Sequence, residues 1–232
     1  MAVLMLPAGL SVPAHAAEVQ VQVAGPAIEL AVSQTVLADP DMATISAGVT
    51  TRAPTATAAM QQNAQAMQQV IGRIAALGIP DRKIQTTGVT LNPRYDYRND
   101  DPPKFLGYDA SNTVRVELTD IAPIGRVLDT LVEAGATNLS GPDFGLQDPA
   151  PAQAQARSKA FETAQARAQE FARMAGYAGV RLLAVQEIMH SARPMPMQEA
   201  MLSAPRDAVS TPVKPGQVGT AVNLTVKFEM TR

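Results

Sequence analysis

Two hydrophobic periods alternate along this chain, and their order restricts the folds that it can adopt. A period of two predicts half-buried strands, whereas steps of three and four predict amphipathic helices. Strand patterns cover residues 28–36, 43–49, 84–97, 105–119, 144–146, 180–188 and 222–228, and helix patterns cover about 55–77, 122–134 and 152–175. The predicted order is β-β-α-β-β-α-β-α-β-β. It favours an α+β fold of antiparallel β-hairpins with helices packed on one face.

Turn-forming residues separate several of the predicted strands. Asp39-Pro40-Asp41 is expected to close a first hairpin, and the cluster at 99–103 a second one. Valines at 19, 21 and 23 could add a further strand before the first hairpin. The last two strands are joined by residues 191–217, which contain five prolines and are expected to form a mobile loop.

The apolar faces of the long helices follow from the same periods. The first helix is expected to bury Met60, Ala64, Met67, Ile71, Ile74 and Leu77. The third is expected to bury Phe161, Ala164, Ala168, Phe171 and Ala175.

The length of the third helix bears on association: at ~1.5 Å per residue, it is long for a small sheet. Its small residues, Ala154, Ala160, Ala164 and Ala168, could admit a second helix. This predicts a homo-oligomer that uses the third helix or exposed sheet edges; a monomer whose helix crosses both sheets is the alternative.

The first seventeen residues differ from the rest of the chain. They carry no charge, are largely apolar from Val3 to Val12, and end in Ala14-His15-Ala16, which has the small residues of a signal-peptide cleavage site. The basic start of a signal peptide is missing, so an apolar tail is the alternative. We expect export, a mature N-terminus at Ala17 or Glu18, and one domain over 18–232. The apolar stretch is too short for a membrane span, which needs ~20 apolar residues, and no other segment qualifies.

Composition and charge argue against several classes of protein. The net charge of −2 and the lack of basic runs argue against a nucleic-acid partner. The absence of cysteine removes thiol catalysis and disulfides. Of the two histidines, His15 would leave with the signal peptide, and His190 borders the proline-rich segment, which is a poor place for a preorganised base. We therefore expect no enzymatic activity and no cofactor.

Three groups of residues are candidates for binding. Asp96, Asn99, Asp100 and Asp101 could offer oxygen ligands to Ca²⁺, although a plain hairpin turn explains them better. The methionine thioethers and the one imidazole of a second group could bind Cu(I), or the thioethers could be oxidised in place of other groups; alternatively, these residues simply fill a loop. The group consists of Met189, His190, Met195, Met197 and Met201. Arg94, Tyr95, Tyr97 and Tyr108 could line a groove for a small ligand, or could be ordinary strand-surface residues.

Several short motifs together resemble one known family. They are Pro40-Asp41-Met42-Ala43-Thr44-Ile45, Gly48-Val49, Asn63, Gly78-Ile79, Ile84-Gln85-Thr86, Pro93-x-Tyr95, Gly107-Tyr108-x-Ala110-x-Asn112, Phe144-x-Leu146, Ala156-Arg157, Ala160, Ala175-Gly176 and Pro215-Gly216. In order and spacing they resemble the SIMPL-domain family. Members of that family usually carry Gly-x-Gly in the first strand, where this chain has Val32 and Gln34.

The resemblance implies a periplasmic or surface-associated protein with no agreed enzymatic activity. Some relatives look like ring-forming or channel-like homo-oligomers, and one is linked to oxidative-stress defence. Our leading hypothesis is therefore a non-enzymatic, self-associating envelope protein with a stress-protective role. A small-ligand or Cu(I)-binding periplasmic module and an undetected hydrolase are the alternatives.

Overall fold

A computed structural model describes residues 23–97, 102–188 and 211–232 of the chain. The strands are β1 (Ala27–Ala38), β2 (Met42–Ala53), β3 (Ile84–Asp96), β4 (Lys104–Leu118), β5 (Asn138–Gly145), β6 (Gly179–Ile188) and β7 (Val218–Thr231). The α-helices are α1 (Ala56–Ala76), α2 (Ile124–Glu133) and α3 (Ala150–Met174). The predicted order of elements and the α+β class are both confirmed. The proposed extra strand is not confirmed at Val23, which lies outside any strand, and residues 19 and 21 lie outside the described residues.

The strands form two antiparallel sheets, each with helices on one face. The larger sheet has the order β3-β4-β2-β5, and α1 packs on β2 and β4 and contacts α2. The smaller sheet has the order β1-β7-β6 and is covered by α3. In the larger sheet, α1 lies over the central strands β2 and β4, so the face of the edge strand β3 is left partly exposed.

The first predicted hairpin is wrong. Residues 39–41 do connect β1 to β2, but the two strands enter different sheets. β1 pairs with β7, so that Ile28 lies opposite Phe228, whereas β2 pairs with β4 and β5. The second hairpin, β3 with β4, and the final antiparallel pair, β6 with β7, are confirmed. β7 is a central strand and therefore needs no partner from another molecule.

The core of the larger sheet is built from aliphatic side chains on alternate strand positions. Ile45 on β2 and Val114 and Val116 on β4 are fully buried against Ile74 of α1 and Leu131 of α2. Thr55 accepts a hydrogen bond from the Ala58 N–H and caps α1. The buried face of α1 consists of Ala59, Asn63, Met67, Val70 and Ile74. This buried face shares only Met67 and Ile74 with the predicted face. The prediction used apolar residues alone and therefore did not place Asn63 on the buried side of the helix.

The core of the smaller sheet is an alanine face. Every fourth residue of α3 is buried, and all but the last belong to one core with residues of β1 and β7: Ala152, Ala156, Ala160, Ala164, Ala168 and Ala172. Phe171 and Ala175, which were predicted to be buried, are exposed. Ala160, Ala164 and Ala168 are fully buried inside the chain and so cannot admit a helix from a second copy. The predicted use of this helix face for association is therefore wrong.

The two positions that depart from the Gly-x-Gly pattern both point towards α3. Val32 is buried in the core that includes the alanine face. The Gln34 side-chain amide donates a hydrogen bond to Thr163 Oγ1 on α3 at 3.2 Å. At Val32 a larger side chain of β1 thus packs in the same core as the alanines of α3, which keeps the layers closely packed.

Candidate functional site

An exposed apolar surface lies along β3, the edge strand of the larger sheet. Its segment Ile84–Asn92 contains no charged residue, and no strand of the described part of the chain pairs with its outer side. Val89 and Leu91 lie on the face that carries α1, yet 51% and 38% of their surfaces are exposed, because α1 covers β2 and β4 instead. We call Ile84–Asn92 the β3 edge. Natural sheet edges of this length usually carry charges or are covered.

Four aromatic rings continue this surface at the end of the β3–β4 hairpin. Their ring centroids form a row: Tyr97 to Tyr95 at 6.2 Å, Tyr95 to Phe105 at 5.6 Å, and Phe105 to Tyr108 at 5.3 Å. We call them the aromatic row. Tyr97 is 72% exposed and Phe105 is 46% exposed. A chain with only nine aromatic residues thus places four of them on one exposed hairpin, and exposed apolar patches of this kind commonly mark interaction sites.

The sequence found the three tyrosines of this row but missed Phe105. Strict alternation would put Phe105 and Tyr108 on opposite faces of β4. The pairing, however, skips Leu106: Tyr95 lies opposite Phe105, and Arg94 lies opposite Gly107. This irregularity adds one residue to β4 and turns Phe105 to the side of Tyr108. Gly107, with φ of +130°, is the available sequence signal for such a bulge.

Arg94 does not join the tyrosines in the predicted groove. Its Nε lies 3.5 Å from Asp109 Oδ1, and the Nε of Arg52 lies 3.5 Å from the same oxygen. Asp109 follows Tyr108 in β4, so this charged cluster lies on the opposite face of the sheet. The structure therefore separates the predicted groove into an apolar face and a charged face.

A second candidate site lies where the segment 211–217 crosses α2. Thr211 Oγ1 donates a hydrogen bond to Asp129 Oδ1 at 2.7 Å, Val213 packs against the core of the larger sheet, and Gln217 bonds to Asp39. We call 211–217 the strap. It has no regular secondary structure, as its prolines predicted, but these contacts fix it to the domain. A cavity of about 350 Å³ lies between the strap, Phe144 and the N-terminal end of α2.

A buried carboxylate holds the chain just before β1. Glu229 on β7 accepts hydrogen bonds from the N–H groups of Ala24 and Gly25, at 2.6 and 2.7 Å. The Arg181 guanidinium also binds this carboxylate. The hydrogen bonds from Arg181, together with those from the backbone, hold the pKa of Glu229 below its ordinary value. Glu229 was not singled out in the sequence, because alternation within β7 gives no sign of a charge at a buried position.

The metal hypotheses remain predictions. Met189, His190, Met195, Met197 and Met201 lie outside the described residues, as do Asn99, Asp100 and Asp101. Asp96 lies at the end of β3. Within the described part of the chain, no group of three or more His, Cys, Asp or Glu side chains is placed to hold a metal ion. No helix in that part is long and apolar enough to span a membrane.

These features define an α+β protein whose two antiparallel sheets carry helices on one face and whose main exposed feature is an apolar sheet edge. The chain belongs to the SIMPL family, described as a protein of unknown function (DUF541), whose model matches residues 28–228. The match covers all seven strands and three α-helices of the described residues, apart from the first residue of β1 and the end of β7.

Named relatives agree with this family. The chain is 32% identical over 237 residues to the 26 kDa periplasmic immunogenic protein of Brucella melitensis biotype 1, covering 98% of this chain and 94% of that protein. It is 27% identical to the uncharacterized protein YggE of Edwardsiella ictaluri, over 88% of this chain and 84% of that protein. It is 29% identical to YggE of Escherichia coli K12, over 73% of this chain and 69% of that protein.

Proposed function

We propose that this chain is a non-catalytic protein of the bacterial periplasm that self-associates and protects the cell envelope during oxidative stress. The periplasmic location is supported by the name of the Brucella relative and by the signal-like start of the sequence. The protective role is supported by the family resemblance. Self-association is supported by an observation on the molecule itself, the exposed β3 edge.

The β3 edge is exposed in two ways at once. Among the described residues, no strand lies on the outer side of its backbone and no helix covers its apolar side chains Val89 and Leu91. A partner strand would satisfy the free backbone groups and cover the side chains in the same step. The aromatic row adds apolar area at one end of the same strand, where aromatic residues typically dominate the energy of an interface.

A second copy of this chain is the partner that fits best. An antiparallel pairing of the β3 edge with the same edge of another copy is symmetric, so each copy supplies and covers the same surface. No charge from Ile84 to Asn92 would oppose its own copy across this pairing. An acidic or basic partner would find no complementary charge along this segment.

Mass measurement of the purified protein tests this proposal. Size exclusion coupled to light scattering should give at least twice the monomer mass at micromolar concentration. Changing Val89→Lys and Leu91→Lys together should weaken association by about tenfold or more, because charged side chains on an edge strand oppose pairing. Both side chains are exposed, so the variant should keep its far-ultraviolet circular dichroism.

The chain offers a matched control for this change. Val132 on α2 is 58% exposed, close to the value for Val89. Val132→Lys makes the same chemical change away from the β3 edge and should leave the measured mass unchanged. A wild-type protein that is only monomeric at micromolar concentration would refute self-association. An oligomer that is equally sensitive to Val132→Lys and to the edge variant would refute the use of β3.

The protective role requires a separate test in cells. A strain lacking the gene should survive hydrogen peroxide less well than its parent, and the wild-type gene should restore survival. The Val89→Lys, Leu91→Lys variant should fail to restore it although the protein reaches the periplasm. Equal survival of the deleted and parent strains would contradict the protective role without bearing on association.

A further inference from the structure

The cavity under the strap has the composition of a small-molecule site. Its lining includes the apolar residues Ile121, Ile124, Phe144 and Val213 and the polar residues Arg126 and Thr211. A volume of about 350 Å³ lies within the usual range of ligand pockets, about 300–1,000 Å³. At ~30 Å³ per water molecule, this volume corresponds to about ten waters, or a ligand with on the order of ten non-hydrogen atoms.

Among the described residues that line this cavity there is no aspartate or glutamate, and Arg126 is the charged residue. The nearby Asp129 is engaged by both the N–H and the hydroxyl of Thr211, at 3.3 and 2.7 Å. Among the described residues, no carboxylate forms an ion pair with Arg126. An arginine without an acidic partner beside an apolar wall favours a carboxylate on the ligand.

We propose that this cavity binds a small organic acid that carries one carboxylate and an apolar body of about ten non-hydrogen atoms in total. The carboxylate pairs with Arg126. The apolar body lies against Phe144, Ile121 and Val213. The strap forms one wall, so binding also holds residues 211–217 against α2. This site is separate from the β3 edge and does not depend on the proposed self-association.

Calorimetric titration of the purified protein with octanoate tests this site. Octanoate has the required carboxylate and an apolar chain of suitable length, and octanamide is its uncharged counterpart. Octanoate should bind in the millimolar range or tighter with one site per chain, and octanamide should bind about tenfold more weakly. Absence of octanoate binding at millimolar concentration, or equal binding of the two compounds, would overturn the proposal.

Two substitutions locate the site. Arg126→Gln should weaken octanoate binding about tenfold and leave octanamide binding unchanged, because only the ionic contact is lost. Arg73→Gln changes an exposed arginine on α1 that does not line the cavity, and it should change neither. Octanoate binding that is unaffected by Arg126→Gln would place the site elsewhere and overturn the proposal.

A third variant fills the cavity. Ala122 lines the cavity but is exposed, so Ala122→Phe should occupy the volume without disturbing the core. This variant should lose binding of both compounds while its thermal unfolding temperature stays near that of the wild type. A folded Ala122→Phe protein that still binds octanoate normally would contradict the assignment of this cavity.

Discussion

Asn63 on α1 donates a hydrogen bond from Nδ2 to the carbonyl oxygen of Ala110 on β4, at 3.0 Å. The same amide donates to the carbonyl oxygen of Val49 on β2, at 2.9 Å. Asn63 is almost fully buried, and its hydrogen bonds join the helix to both central strands of the larger sheet. A polar side chain at this depth fixes the position of α1 along the sheet, since sliding the helix would break both bonds.

The first prediction follows from this contact. Asn63→Ala should reduce the free energy of unfolding by about 2–3 kcal/mol, because two hydrogen bonds are lost and a small cavity is created. Urea denaturation measures this change. Gln62→Ala alters an exposed residue on the same helix and should change stability by less than about 0.5 kcal/mol. Equal effects of the two changes would show that the buried amide is not important for stability.

The second prediction concerns acid. Arg181 and the N–H groups of Gly25 and Ala24 hold the pKa of Glu229 below its ordinary value, whereas the unfolded chain restores that value, about 4.3. The unfolded state therefore binds the proton first as pH falls. The stability that Glu229 contributes is present above about pH 4.3 and is lost as pH falls through the folded-state pKa.

Glu229→Gln should thus lower stability at pH 7 and make it less dependent on pH below about 5. Urea denaturation at several pH values measures both effects. Glu187, whose pKa is also lowered by Arg157, remains in the variant, so part of the acid sensitivity should persist. A variant with the same pH dependence as the wild type would contradict a special role for Glu229.

The sequence predicted the order of elements well, but it could not predict which strands pair over long distances. The alternation in β1 requires one buried face and does not identify the partner. The short turn at 39–41 favoured β2, yet the observed partner is β7, almost two hundred residues later. Local turn chemistry permits a hairpin, but packing of α3 against β1 and β7 decides the pairing.

The candidate site was predicted in part for a similar reason. The tyrosines of the aromatic row were recognised because alternation holds along β3. Phe105 was missed because the extra residue in β4 reverses the alternation. The strap was predicted to be irregular from its prolines, but its contacts through Thr211 and Val213 depend on where α2 lies. Features set by long-range packing leave little trace in a local pattern.

The third prediction tests the bulge that assembles the aromatic row. A Cβ on Gly107 would lie 2.5 Å from the carbonyl oxygen of Ala53, and the residue has φ of +130°. Gly107→Ala should therefore reduce stability by about 2–4 kcal/mol through steric overlap and backbone strain. Gly88 on β3 has no atom within 4 Å of such a Cβ, so Gly88→Ala should be nearly neutral. Comparable effects at both glycines would argue against the tight approach at Gly107.

The fourth prediction distinguishes the alanine face of α3 from an interface between copies. Ala164 is fully buried against the smaller sheet, so Ala164→Glu would place a charge and a larger side chain in a closed core. It should reduce the free energy of unfolding by at least about 3 kcal/mol. Ala154→Glu makes the same change at an exposed position of the same helix and should have little effect.

Thermal unfolding followed by circular dichroism, combined with mass measurement, separates a buried core position from an interface position. If Ala164→Glu gave a stable, folded monomer while the wild type was an oligomer, the alanine face would be an interface, and the β3 edge would no longer be the favoured contact.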